Sequence, residues 1–252
     1  MNIFYIMEQD SDTRKLFDAI IQKGSLKQHV YYNTYETFNQ FKKVIKKLVK
    51  EYQDYGISGE RYIPFEYKNR GEFEIELKFG GDILIFMMHT NVFEFPRSHE
   101  LMRLPYITDD PDRSYCGIIN IYNFLGDSFK YKRINDIGYL IGRVFINKEN
   151  HYFIEGKREI GLLYRSFDVA LMDENAAKSI IQSAITYTLN FDLLTPPYEQ
   201  VKVLSVYEIQ TTLDNMKIRT GKRLGFRFQA DSEDEEQVPA PPDVPITEGG
   251  GS

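Results

Sequence analysis

The sequence has no tryptophan and a single cysteine, Cys116, among 252 residues. One cysteine excludes an intramolecular disulfide framework and a zinc site built from several cysteines, and it is typical of a reducing compartment. No apolar run approaches the roughly 18–20 residues of a membrane span. The N-terminal sequence also lacks the basic start and the long apolar core of a signal peptide. We therefore expect a cytoplasmic protein that does not engage a membrane.

The net charge of −6 comes from one end of the chain. Residues 231–252 contain seven acids and no base, which leaves 30 acids against 31 bases in residues 1–230. This end is also rich in proline and glycine, and it has too few apolar side chains to offset the entropy of ordering. The sequence predicts one globular domain over residues 1–230 and a disordered acidic tail over residues 231–252.

The N-terminal region predicts two helices from apolar residues that recur at helical spacing. The first begins near Asp10, a capping residue, and we expect Gly24 to end it. The second begins at Asn33, because Asn33 and Glu36 have the spacing of a capping box, and it ends at Gly56.

The middle of the chain has the two-residue period of β-strands. Residues 73–79 alternate apolar and charged side chains, Gly80-Gly81 permits a tight hairpin turn, and residues 83–88 are apolar on both faces, as in a central strand. Further strands are predicted over residues 62–67, 117–123, 128–133, 139–146, 152–154 and 160–164, with a hairpin loop at residues 147–150.

Helical spacing returns after Asp173, a capping residue, and continues to Leu189. A last short helix is predicted over residues 206–216 and a closing strand over residues 223–229. Because the strands follow one another too closely for repeated βαβ crossovers, the sheet should be mostly antiparallel. The sequence thus predicts a single α+β domain in which N-terminal and C-terminal helices flank a multi-stranded sheet.

The common catalytic signatures are absent from the sequence. There is no glycine-rich dinucleotide or phosphate loop and no nucleophile elbow. Residues 99–103 begin like the helix of a zinc protease, but Arg103 stands where the second zinc ligand must be, and a guanidinium has no lone pair to donate. We expect no cofactor.

One segment nevertheless concentrates polar chemistry, and it supports an alternative hypothesis of an enzyme or a metal- or ligand-binding domain centred on residues His89 to Asp112. Loops that follow a buried strand often carry sites. Three aspartates there supply the oxygen ligands that Mg²⁺ or Ca²⁺ prefers, although Asp and Pro at this spacing are also typical of a solvated turn, which we favour. The candidates are His89, Glu94, His99 and Cys116 for catalysis and Asp109, Asp110 and Asp112 for a metal ion.

Two clusters of basic residues raise a second alternative, an anion- or nucleic-acid-binding protein. The lysines at 42, 43, 46, 47 and 50 have the spacing of the solvated face of an amphipathic helix. The second cluster alternates with Phe226 and Phe228, and the acidic run 231–236 begins close enough to screen it. Its members are Lys217, Arg219, Lys222, Arg223 and Arg227.

The leading hypothesis is a non-enzymatic binding or adaptor protein that engages a partner protein through an aromatic-rich surface. The chain contains 18 Tyr and 18 Phe, and aromatic residues are enriched at protein interfaces. A nucleic-acid partner is less favoured, because a net charge near +1 over residues 1–230 is far below that of a strongly basic nucleic-acid-binding domain.

Overall fold

The computed structural model describes residues 3–55, 62–157, 166–193, 195 and 197–207, and for residues 3–11, 200 and 201 it describes the backbone alone. The helices are α1 (Ile3–Tyr55), α2 (Pro105–Asp109), α3 (Gly126–Lys130), α4 (Glu174–Leu189) and α5 (Tyr198–Val201), with 3-10 turns at Glu100–Arg103 and Pro111–Ser114. The strands are β1 (Phe65–Asn69), β2 (Glu74–Phe79), β3 (Asp82–Met88), β4 (Phe93–Glu94), β5 (Tyr115–Leu125), β6 (Tyr139–Asn147) and β7 (Tyr152–Gly156).

The seven strands form one antiparallel sheet in the order β1-β2-β3-β5-β6-β7, and the short β4 pairs with the first residues of β5. Every neighbouring pair is antiparallel. The predicted α+β class, with a mostly antiparallel sheet and helices toward both ends of the chain, is confirmed.

The two predicted hairpin turns are also confirmed. Gly80 connects β2 to β3 with a positive φ, a conformation that glycine adopts without strain. Asn150 lies between β6 and β7 and also has a positive φ, and asparagine tolerates the left-handed region better than most residues.

The prediction of two N-terminal helices is wrong, because α1 is one continuous helix of 53 residues. Gly24 lies inside it, where a glycine costs only about 1 kcal/mol relative to alanine and does not by itself end a helix. Asn33 also lies inside the helix and does not cap it. Its side-chain amide donates instead to the backbone carbonyls of Asn147 (3.1 Å) and Lys148 (2.9 Å), so it tethers α1 to the β6–β7 hairpin.

The prediction of a strand over residues 128–133 is wrong as well. The last residue of β5, Leu125, pairs with the first residue of β3, Asp82, so the sheet offers no further partner beyond this point. The chain turns instead into α3, and the Gly126 amide donates to the carbonyl of Gly81 at 2.7 Å. The predicted strand over residues 62–67 begins later, at Phe65.

The two faces of the sheet are covered in different ways. One face packs against α1 and α4, and Phe38, Phe41 and Phe86 are completely buried there. At one end of the opposite face, residues 95–107 and Phe167 cover a smaller second core. The approach of α1 to β5 is close enough that a Cβ on Gly117 would lie 2.1 Å from the hydroxyl oxygen of Thr34.

Several predictions fall outside the described residues. They are the strand at 160–164, the helix beyond residue 207, the strand at 223–229, the basic cluster from Lys217 to Arg227 and the acidic tail at 231–252.

Candidate functional site

The predicted catalytic residues near β4 each take part in separate local contacts. The His89 Nδ1 accepts a hydrogen bond from the Asn91 amide at 3.0 Å, and its ring meets Phe93 edge-on. His99 accepts from the Leu101 amide at the start of a 3-10 turn and stacks on Phe95 with ring centroids 4.7 Å apart. These contacts stabilise turns of the chain, and the catalytic assignment stays a prediction.

The predicted acid and thiol nearby are also engaged. The Glu94 carboxylate accepts from the Tyr115 hydroxyl at 2.8 Å and lies 3.4 Å from the Arg97 guanidinium. Cys116 is buried in the second core, and burial raises the pKa of its thiol well above the ordinary value. A thiol that stays protonated is a poor nucleophile, so Cys116 contributes to packing.

The aspartates at 109, 110 and 112 form a turn around the Pro111–Ser114 3-10 helix. The Asp110 carboxylate accepts from the Asp112 amide at 3.1 Å and from the Lys148 ammonium at 2.6 Å. Its pKa is lowered, chiefly by the hydrogen bond from Lys148. Over the described ranges, no group of three or more His, Cys, Asp and Glu side chains could hold a metal ion.

A dense cluster of hydrogen bonds surrounds Tyr106, which no sequence pattern singles out. Its hydroxyl donates to Glu149 (2.8 Å) and accepts from Asn147 (2.8 Å). Its ring stacks on His151 with centroids 5.2 Å apart and lies 4.5 Å from the Arg113 guanidinium. Burial and the neighbouring Glu149 raise the pKa of Tyr106 well above the ordinary value, so the phenol remains a hydrogen-bond donor.

Glu149 holds this cluster together from the β6–β7 loop. It accepts from Tyr106 and, at 2.9 Å, from the Nε of Arg113. Burial by itself raises the pKa of Glu149, but the hydrogen bonds from Tyr106 and Arg113 outweigh it and bring the pKa below the ordinary value. The cluster joins α2, the following turn and the β6–β7 hairpin, and the same hairpin is tethered to α1 through Asn33. Its polar groups are therefore used to hold α2, the turn and the hairpin together.

One described surface that lacks such an internal role is on the N-terminal half of α1. All side chains from residue 12 to residue 25 are exposed, and the first completely buried residue after residue 12 is Val30. Four large apolar residues in this half are 55–65% exposed: Leu16, Phe17, Ile20 and Ile21. We call these four residues the α1 stripe. The helical spacing of these residues already indicates one apolar helix face, and the structure shows that this face is exposed.

Two residues of the α1 stripe continue the side of the helix that faces the sheet, and Phe17 and Ile21 lie on the flank of that side. Leu16 and Ile20 lie about five complete helical turns before the buried Thr34 and Phe38, respectively. Near the boundary, the Lys23 ammonium lies 3.7 Å from the ring centroid of Tyr115 at the start of β5. Before this point the helix extends past the edge of the sheet, and its apolar side meets solvent.

The lysines in the C-terminal half of α1 pack along the fold. Lys42 donates to the carbonyl of Glu72 at 2.7 Å, Lys46 lies over the ring of Tyr67, and Lys47 lies 3.4 Å from Glu174. These contacts fit the expected solvated face of an amphipathic helix.

No family model matches the chain, and neither a curated protein nor a solved structure matches it. In the part of the chain that the structure describes, none of the helices is both long enough and apolar enough to cross a membrane. The functional conclusion therefore rests on the exposure and the contacts of the described residues.

Proposed function

We propose that this chain is a non-enzymatic binding protein that engages a partner protein through the α1 stripe. The observation that carries the proposal is the exposure of Leu16, Phe17, Ile20 and Ile21 on one side of a helix that extends beyond the sheet. Contiguous apolar patches of a few hundred square ångströms on a soluble protein commonly mark interaction sites.

The proposed surface lies on α1 and not on the aromatic cluster of the second core, because that cluster is buried. Phe145, Phe153 and Phe167 are at most 7% exposed and pack around Phe95. These rings form a core and are not available to a partner.

The anchoring of α1 further supports a binding role. An interface formed by a rigid element loses less conformational entropy on association than one formed by a loop. The Asn33 tether and the close contact of Thr34 with Gly117 fix the helix immediately after its exposed half. The sheet thus acts as a rigid base that presents the α1 stripe.

A position-specific photo-crosslinking experiment tests the proposal in the native host. A benzophenone amino acid replaces Phe17 or Ile21 in the stripe, and in the matched controls it replaces Lys15 or Gln22, which are also exposed but lie on the other side of the helix. We expect one discrete crosslinked protein from the stripe positions and none from the controls, identified by mass spectrometry. Equal crosslinking from all four positions, or none from positions 17 and 21, refutes the proposal.

A further inference from the structure

We infer that the occupant of the α1 stripe is the same stripe of a second copy of this chain, running antiparallel to the first. This inference rests on the proposed function, because it names the partner of that surface.

The position of the sheet disfavours a parallel arrangement. Leu16 and Ile20 continue the sheet-facing side of α1, so a partner helix against them lies beyond the edge of the sheet. A parallel partner helix would run on beside residues 30–45, where the sheet covers this side. In an antiparallel pair centred on the stripe, residue 3 of one helix lies level with about residue 34 of the other, so only about the first turn of each helix reaches the level of the sheet.

The distribution of charge along the exposed half favours the same arrangement. Residues 3–18 contain four acids and two bases, whereas residues 19–29 contain two lysines and no acid. An antiparallel pair places the acidic part of each helix beside the basic part of the other. A parallel pair would place like charges side by side, which is destabilising in neighbouring helices.

The available area sets the expected strength of the dimer. Four large side chains that each expose more than half of their surface provide roughly 400–500 Å² per copy. Two copies then bury roughly 900 Å², below the 1,200–2,000 Å² of stable interfaces. The inference is therefore a weak, reversible dimer with a dissociation constant of roughly 10–100 µM.

Sedimentation equilibrium of the purified full chain between 1 and 200 µM tests the dimer. Ile20→Glu introduces a charge within the stripe, and Gln22→Glu introduces the same charge two residues away on the other side of the helix. Both positions are exposed, so neither substitution disturbs the core. We expect Ile20→Glu to weaken dimerisation at least about tenfold, because each dimer then buries two unpaired carboxylates, and Gln22→Glu to change it less than about twofold.

A distance measurement tests the orientation. The native Cys116 is 1% exposed, so a nitroxide label reacts selectively with a cysteine introduced by the exposed substitution His29→Cys. Pulsed electron resonance should find the two labels about 30 Å apart in an antiparallel dimer, and closer than about 20 Å in a parallel one.

The outcomes separate this inference from the proposed function. A chain that stays monomeric up to 200 µM overturns the inference. This holds whether the stripe is then covered by another protein or by residues 208–252 of the same chain. Equal effects of Ile20→Glu and Gln22→Glu, or a short label distance, overturn it as well. If the chain is monomeric but positions 17 and 21 crosslink to another protein in the host, the proposed function stands and only the second copy is excluded.

Discussion

The close contact between α1 and β5 predicts that Gly117→Ala severely destabilises the fold. The added Cβ would lie 2.1 Å from the Thr34 hydroxyl oxygen and 2.8 Å from both Cβ and Cγ2 of the same residue. These distances are far short of the 3.4–4 Å of ordinary van der Waals contact, so α1 must move away from the sheet. The hydroxyl of Thr34 is fixed by its hydrogen bond to the Val30 carbonyl at 2.7 Å, and the residue is completely buried, so it cannot rotate into solvent.

The expected loss is about 3 kcal/mol in the free energy of unfolding, at the upper end of the range for overpacked cores. For a chain of this size, that loss lowers the melting temperature by roughly 6–12 °C. Urea denaturation followed by circular dichroism measures the free energy. Gly71→Ala is the matched control, because a Cβ at Gly71 meets nothing within 4 Å.

A double-mutant cycle identifies the cause of the loss. Thr34→Ala removes the hydroxyl and the Cγ2 that clash with the new Cβ, so it should recover about 1 kcal/mol in the Gly117→Ala background. If Gly117→Ala and Gly71→Ala cost the same within about 0.5 kcal/mol, the helix does not pack on β5 through this contact.

Three further predictions concern the Tyr106 cluster and α4. Tyr106→Phe should lower the free energy of unfolding by about 1–2 kcal/mol in urea denaturation, because it leaves the Asn147 amide and the Glu149 carboxylate without the phenol hydroxyl. An unchanged free energy would show that the cluster does not stabilise the fold. The folded-state pKa of Glu149 lies below its ordinary value, so the stability that Glu149 contributes is present above about pH 4.5 and is lost as the pH falls through the folded-state pKa. In thermal melts, Glu149→Gln should therefore lose less stability at acid pH than the unsubstituted chain does. Identical pH profiles of the two proteins would contradict the assignment. Asp173→Ala removes the side-chain acceptor of the Ala176 amide at the start of α4 and should cost about 1 kcal/mol, whereas Asp173→Asn, which can still cap the helix, should cost much less.

Local patterns predicted the sheet correctly where the decisive interactions are between neighbours in sequence. The alternation in residues 73–79 and the Gly80-Gly81 turn correspond to β2 and the β2–β3 connection. Asp173 caps α4 as its side chain predicted. In each case, the preference of a few adjacent residues and the tertiary fold favour the same conformation, so the local pattern was sufficient.

Local patterns failed at Gly24 and Asn33 because the same residues have a second use that depends on distant partners. Asn33 has the type and spacing of a helix cap, but its amide reaches two carbonyls that are 114 and 115 residues away in sequence. Gly24 weakens a helix without ending it when the flanking segments both favour helix. The sequence therefore indicated helical segments on both sides of this region but not their continuity.

The Tyr106 cluster could not be predicted for a related reason. Tyr106 and Glu149 are 43 residues apart, and no spacing rule connects a tyrosine before a 3-10 turn with a glutamate in a hairpin loop. The predicted candidates His89 and His99 have chemically suitable side chains, but only the folded chain shows that the Nδ1 of each accepts from a nearby backbone amide.

The sequence by itself determined the class of fold, the two hairpin turns and the apolar face formed by the α1 stripe, because each depends on periodicity or on the conformational preference of a few residues. Only the tertiary structure decided which part of that face is covered. The sheet reaches α1 from about Val30 onward and leaves Leu16 and Ile20 in solvent, although they lie on the same side of the helix as the buried Thr34 and Phe38. Periodicity determines which side chains share a helix face, whereas the burial of that face depends on how far the sheet extends along the helix.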